Sequence, residues 1–156
     1  MTNRTYDALD RLAQVTYVAD GSTIDYTWDA GNALRQIADS QSGTITRTYD
    51  LLDQLTQETT PQGSISYTYD AASRRTSMTV AGQPAVTYAY DNANRLLTIT
   101  QGSNVVTLTY DAAGRRTSVT LPNGVVTEYT YDAASRVTGL TYRKNTTTLG
   151  HADLHV

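Results

Sequence analysis

Seven aspartates recur along this chain, each directly after an aromatic residue: Tyr6-Asp7, Trp28-Asp29, Tyr49-Asp50, Tyr69-Asp70, Tyr90-Asp91, Tyr110-Asp111 and Tyr131-Asp132. Carboxylates are ligands for hard cations, so a periodic Asp array raises the chemistry of a calcium site. One Asp every 20 to 22 residues, without Asp-x-Asp clustering, does not converge oxygens on a single point. The same residue type serves a turn, where the carboxylate accepts a backbone N–H two residues on, and that reading leads. Counting the aromatic as position 0, Arg stands at +5 as Arg11, Arg74, Arg95, Arg115 and Arg136. Its chemistry is anion binding or, more simply, an ion pair across the turn with the Asp at +1. The aromatic row, joined by Tyr26, Tyr67, Tyr88 and Tyr129 at -2, offers stacking on sugars or cross-strand packing within a sheet. His151 and His155 have the spacing of two metal ligands on a helix, but no helix is indicated and no third ligand stands nearby, so they read as part of a tail. Glu occurs only at 58 and 128, and no Ser/His/Asp set or Gly-rich phosphate loop stands out. No catalytic, cofactor or metal site is expected.

The elements that position these residues follow from the spacing. Upstream of each pair the chain alternates, as in Ile24-Asp25-Tyr26-Thr27-Trp28 and Ile65-Ser66-Tyr67-Thr68-Tyr69, the period of two that marks a strand with unlike faces. Position +4 is always a turn-former, namely Asp10, Asn32, Asp53, Ser73, Asn94, Gly114 or Ser135. A second strand then starts near +5 and carries an apolar residue at +9 in most repeats, with Glu58 the exception. A looser turn holding Gly21, Gly43, Gly63, Gly82, Gly102 or Gly124 absorbs the length variation. Each repeat is therefore one β-hairpin, with strands of about six residues. Residues 1–148 read as seven in-phase repeats with 13 or 14 strands, and residues 149–156 as a disordered tail.

Composition agrees with an all-β chain. Leu, Ile, Val and Phe make up about 19% of the 156 residues, near the level of disordered chains. Net charge is only -3, and 12 Tyr and 28 Thr supply the aromatic and β-branched residues that suit a pleated surface. With 12 Lys and Arg against 15 Asp and Glu, no basic face is available for nucleic acid. There is no Cys, no apolar run long enough to span a membrane as a helix, and no signal peptide in this chain. Such an array is quasi-one-dimensional, each unit leaning on its neighbours, and its open sheet edges favour self-association. The chain opens inside a repeat and stops soon after one, which suggests a segment of something longer.

The unit Tyr110-Asp111-Ala112-Ala113-Gly114-Arg115-Arg116-Thr117-Ser118, matched closely by Tyr69 to Ser77 and by Tyr131 to Thr138, resembles the YD repeat of the Rhs family. The resemblance covers roughly residues 1 to 148, and seven units in phase make it specific. It implies tandem hairpins wound as a continuous antiparallel, spirally twisted sheet that forms a hollow shell. It implies a non-catalytic role, encapsulating a toxin or scaffolding a surface protein, in a secreted or cell-surface location. Further YD repeats and an enclosed effector are the partners it implies. A carbohydrate or cell-wall-binding module presenting the Tyr/Trp ladder is the alternative.

Overall fold

The structure, a computed structural model, describes residues 1–154. The chain forms two compact units, Met1–Gln83 and Pro84–Val156. The first holds β1 (Thr2–Tyr6), β2 (Leu12–Tyr17), β3 (Thr23–Trp28), β4 (Leu34–Asp39), β5 (Gly43–Tyr49), β6 (Leu55–Thr60), β7 (Gly63–Tyr69) and β8 (Arg75–Val80). The second holds β9 (Val86–Tyr90), β10 (Leu96–Gln101), β11 (Asn104–Tyr110), β12 (Arg116–Thr120), β13 (Val125–Tyr131), β14 (Val137–Lys144) and β15 (Thr147–Asp153). Within each unit every strand pairs antiparallel with the strand before and after it, an uninterrupted meander of hairpins. No helix occurs among the described residues, so none is long and apolar enough to cross a membrane.

Each aromatic-Asp pair closes the first strand of a hairpin, and the turn that follows has one geometry throughout. In the first repeat, Asp10 N–H donates to the Asp7 carbonyl at 3.1 Å and Asp7 N–H to the Arg11 carbonyl at 2.9 Å. This is a type I turn closed by a residue in the left-handed region, the three-residue hairpin loop with a bulge. All seven +4 residues have positive φ, from 57° at Asp10 to 81° at Gly114. Asn, Asp, Ser and Gly occupy the position because a β-branched side chain there is strained. The bulge shifts the register beside the turn, so position 0 faces +6, as Tyr69 faces Arg75, while -2 faces +9, as Tyr67 faces Met78.

The looser turns also lie where expected, and the glycine in each has positive φ. Gly43 is the most constrained, since a Cβ added there would lie 2.7 Å from the Pro61 Cγ. The expectation for the C-terminal residues is corrected. Residues 149–153 are not disordered but belong to β15, which pairs with β14 from Lys144↔Thr147 to Gly139↔Asp153 and adds a fifteenth strand. The cause is Asn145, whose φ of 55° lets Asn145 and Thr146 reverse the chain at once. His151 stands on this strand, held by Thr141 Oγ1 at 2.7 Å and Asp153 Oδ1 at 2.9 Å. His155, its proposed companion, lies outside the described residues.

Positions -2 and +9 place the aliphatic and aromatic side chains on one face of each meander, through the pairs Tyr26↔Ile37, Tyr88↔Ile99, Leu108↔Val119 and Tyr129↔Leu140. The other face carries Thr and Ser. There Thr48 meets Thr56 at 2.9 Å, Thr68 meets Ser77 at 2.7 Å, and Thr109 meets Ser118 at 2.7 Å. Among the described residues all inter-strand contacts within a unit are between consecutive strands, and no second layer covers the apolar face. Among the described residues the only buried hydrophobic residues are Val15 and Leu108. The exception at Glu58 has a physical reason. Its register partner is Arg47, which stands where most repeats carry Tyr, and Arg47 Nε donates to Glu58 Oε2 at 2.7 Å. Tyr and its apolar partner have been exchanged together for an ion pair, and the carboxylate holds the Arg47 pKa above its ordinary value.

The +4 geometry gives a direct expectation. Ser73→Val, which forces a β-branched residue to a φ of 62°, lowers stability by about 1–2 kcal/mol, while Ser73→Gly leaves it unchanged or raises it. Urea midpoints of the two variants check this; equal midpoints contradict it.

Candidate functional site

The repeated side chains converge on the row of tight turns. The Asp at +1 is the centre of each. Its Oδ1 accepts two backbone N–H groups, from +3 and from +5: for Asp70 these are Ala72 N at 2.9 Å and Arg74 N at 3.0 Å. The same pair of bonds recurs at Asp7, Asp29, Asp50, Asp91 and Asp132. Oδ2 is left for a cation, and the guanidinium at +5 takes it. Arg11, Arg74, Arg95, Arg115 and Arg136 each approach their own Asp at 2.7 Å. The expected cross-turn ion pair is therefore present at all five Arg positions named from the sequence. No group of three or more metal-ligating side chains comes together among the described residues.

The guanidinium also reaches the next hairpin, which the spacing alone did not reveal. Arg11 Nη1 donates to the Asp29 carbonyl at 2.8 Å and to Asn32 Oδ1 at 2.8 Å. Arg95 donates to the Asp111 carbonyl and Arg115 to the Asp132 carbonyl, each at 3.2 Å. The same groups lie over the next position-0 ring, Arg95 at 4.7 Å from the Tyr110 centroid and Arg115 at 4.7 Å from that of Tyr131. Arg11 stands 5.8 Å from the Trp28 ring. At this range the ring quadrupole attracts the cation by about 0.5–1 kcal/mol at an exposed site.

The aromatic completes the junction from the other side. Its polar atom donates to the backbone carbonyl at +6 of the preceding hairpin: Trp28 Nε1 to Leu12 at 2.9 Å, Tyr49 Oη to Leu34 at 3.0 Å, and Tyr69 Oη to Leu55 at 2.9 Å. Tyr110 donates to Leu96 at 2.8 Å and Tyr131 to Arg116 at 2.7 Å. A chain with 12 Tyr and no Phe is explained at position 0, because Phe fills the same space without the donor. Trp28 is tolerated since its indole N–H reaches the same type of acceptor. At these junctions the hydroxyl is engaged and, at Tyr49, Tyr110 and Tyr131, a ring face carries a guanidinium, which leaves little of the ladder to offer a sugar. At -2, Arg75 and Arg116 likewise stand over Tyr67 and Tyr129, at 5.8 and 4.5 Å.

Two repeats lack Arg at +5, and they differ. In the second, Ala33 stands at +5 and Arg35 at +7 supplies the cation, its Nε 2.6 Å from Asp29 Oδ2 and its guanidinium 4.9 Å from the Tyr49 centroid. Sequence reasoning missed Arg35; the signal was an Arg two residues late in a repeat that lacked one. In the third, Gln54 at +5 and Thr56 at +7 leave Asp50 with its two backbone donors alone.

The electrostatics follow from these bonds. The carboxyls of Asp7, Asp29, Asp70, Asp91 and Asp132 are held below the ordinary aspartate value, first by the backbone N–H at +5. At Asp111 the Arg115 guanidinium comes first and the backbone second.

This is the anatomy of a tandem-hairpin repeat protein whose site is structural, a ladder of Asp-Arg-aromatic junctions along the turns. The RHS Repeat family matches residues 28–65, 49–85, 102–125 and 110–147, together more than half of the chain, and the chain belongs to that family. No curated protein matches it. Among solved structures, the fold is similar to the crystal structure of TcdB2-TccC3, with TM-score 0.64 and 16% identity over 99% of this chain and 11% of that one. It is similar also to the crystal structure of TcdB2-TccC3-Cdc42, with TM-score 0.57 and 17% identity over 95% of this chain and 10% of that one. The chain thus spans about a tenth of the length of each of these two chains.

Two outcomes follow from the ladder. Tyr110→Phe leaves the Leu96 carbonyl without its donor and costs about 0.5–1.5 kcal/mol, with faster amide exchange confined to β10–β12. Exchange rising equally in every hairpin of the second unit contradicts nearest-neighbour stability. The second concerns pH. The carboxyls of Asp7, Asp29, Asp70, Asp91, Asp111 and Asp132 titrate below their unfolded value of about 3.9, so the unfolded chain binds more protons in acid. Their contribution is fully present above that value and is lost as pH falls through the folded values. Urea midpoints taken between about pH 7 and pH 2 will hold steady and then drop below about pH 4, and no drop there contradicts the assignment.

Proposed function

We propose that the chain is a non-catalytic structural segment of an RHS-type β-shell, which encloses or scaffolds a toxin or surface protein outside the cell. The observation that carries this reading is the junction itself. The position-0 aromatics join one hairpin to the next through main-chain carbonyls, and the +5 guanidinium groups of Arg11, Arg95 and Arg115 reach across the same junctions. A chain built this way propagates a wall. The likeness to TcdB2-TccC3 over nearly the whole chain supports the same reading, as does the small share of that structure it spans. In this reading residues 1–148 contribute seven repeats, and the remaining wall comes from further repeats beside them. The Tyr ladder gains no support as a glycan platform, because its hydroxyls are held by carbonyls and its ring faces by guanidinium groups.

The test is the genomic sequence flanking these codons together with the behaviour of the longest chain it encodes. The expected result is further Tyr-Asp units in phase at 20- to 22-residue spacing on at least one side, and a segment of that longer chain that resists added protease until the shell is denatured. Flanks without repeats, or a longer chain with no protected segment, overturn the shell reading.

A further inference from the structure

The tight turns contain a guanidinium site that the protein fills from within with Arg11, Arg35, Arg95 and Arg115 and leaves to be filled in the third repeat. The filled site has three parts: the Oδ2 of the Asp at +1, the face of the next position-0 aromatic, and the next Asp carbonyl. Arg95 and Arg115 use all three, with Oδ2 at 2.7 Å, the ring centroid at 4.7 Å and the carbonyl at 3.2 Å. The site is defined by these groups and not by one sequence position, because Arg35 enters from +7 where Ala33 stands at +5 and still meets Asp29 at 2.6 Å and the Tyr49 ring at 4.9 Å. In the third repeat the same three groups are Asp50 Oδ2, the Tyr69 ring and the Asp70 carbonyl. Asp50 Oδ1 accepts Leu52 N at 2.8 Å and Gln54 N at 3.0 Å, as in the sister turns, and the Tyr69 hydroxyl is anchored on Leu55, so the parts are held in place. Gln54 and Thr56 bring no charge to them. Among the described residues no cation pairs with Asp50 or lies over Tyr69.

A second feature sets this turn apart. Its two central residues are Leu51 and Leu52, exposed at 103% and 69%, where most sister turns carry small residues such as Ala112 and Ala113. Two exposed leucines beside a carboxylate that lacks its cation make a surface with both apolar and charged requirements. We propose that the Asp50–Gln54 turn, with Tyr69, is a recognition site for an arginine side chain presented by a partner polypeptide, whose neighbouring apolar residue covers Leu51 and Leu52. Planar, bidentate donors and a stackable face favour Arg over Lys there.

The probe is N-acetylarginine amide, titrated into the whole chain and followed by amide chemical shifts, with the lysine and citrulline counterparts as controls. Saturable shifts confined to residues 50–54 and 69–70, weaker with lysine and lost with citrulline, are expected. Gln54→Arg fills the site from within, so it abolishes those shifts and raises the urea midpoint; Asp50→Asn abolishes them as well. Tighter binding of leucyl-arginyl-leucine than of glycyl-arginyl-glycine assigns the leucines their part. Shifts spread evenly over the seven turns, equal binding of citrulline, or shifts that survive Gln54→Arg overturn the proposal.

Discussion

A β-meander with nothing across its face has to find its lateral cohesion somewhere other than a buried core. Here it comes from one carboxylate per hairpin, whose two oxygens do different work. Oδ1 is committed to the backbone of its own turn, which fixes the left-handed residue at +4 and the bulge behind it. Oδ2 is thereby aimed outward and orients a guanidinium toward the neighbouring hairpin. Remove the carboxylate and both levels fail together: the turn loses its cap and the Arg loses the anchor that directs it at the next ring and carbonyl.

The division of labour between the two ends of each hairpin follows. The tight turn has fixed length because its hydrogen bonds admit only one geometry, whereas the glycine-bearing turn varies and absorbs the changes in repeat spacing. The faces divide as well. One carries Tyr and aliphatic pairs, the other hydroxyl pairs, and where the apolar pattern is broken both register partners change, as Arg47 and Glu58 show. A lone Glu58 among aliphatic neighbours would have been costly; paired at 2.7 Å it is accommodated.

Much of this was legible in the sequence, because period and turn chemistry are local. The strand alternation, the Asp cap, the positive φ at +4 and the glycine turns were all written in residue types at fixed offsets. Contacts between hairpins were not, since register across the bulge decides which side chains meet. The Tyr69 hydroxyl finds Leu55, fourteen residues away, only once both turns are folded, and Arg35 stands in for an absent neighbour only because strand geometry brings +7 beside Asp29. β15 was hidden for another reason: its turn is formed by Asn145 and Thr146 without the glycine that marks the others.

The choice of acceptor has a consequence for how such chains arise. Each aromatic at these junctions addresses a main-chain carbonyl, an atom every residue possesses, and Leu12, Leu34, Leu55, Leu96 and Arg116 serve equally. A hairpin therefore makes few demands on the identity of its neighbour. Units can be duplicated, lost or exchanged by recombination between repeats, and the new seam closes with the same bonds as the old, without a compensating change on the other side.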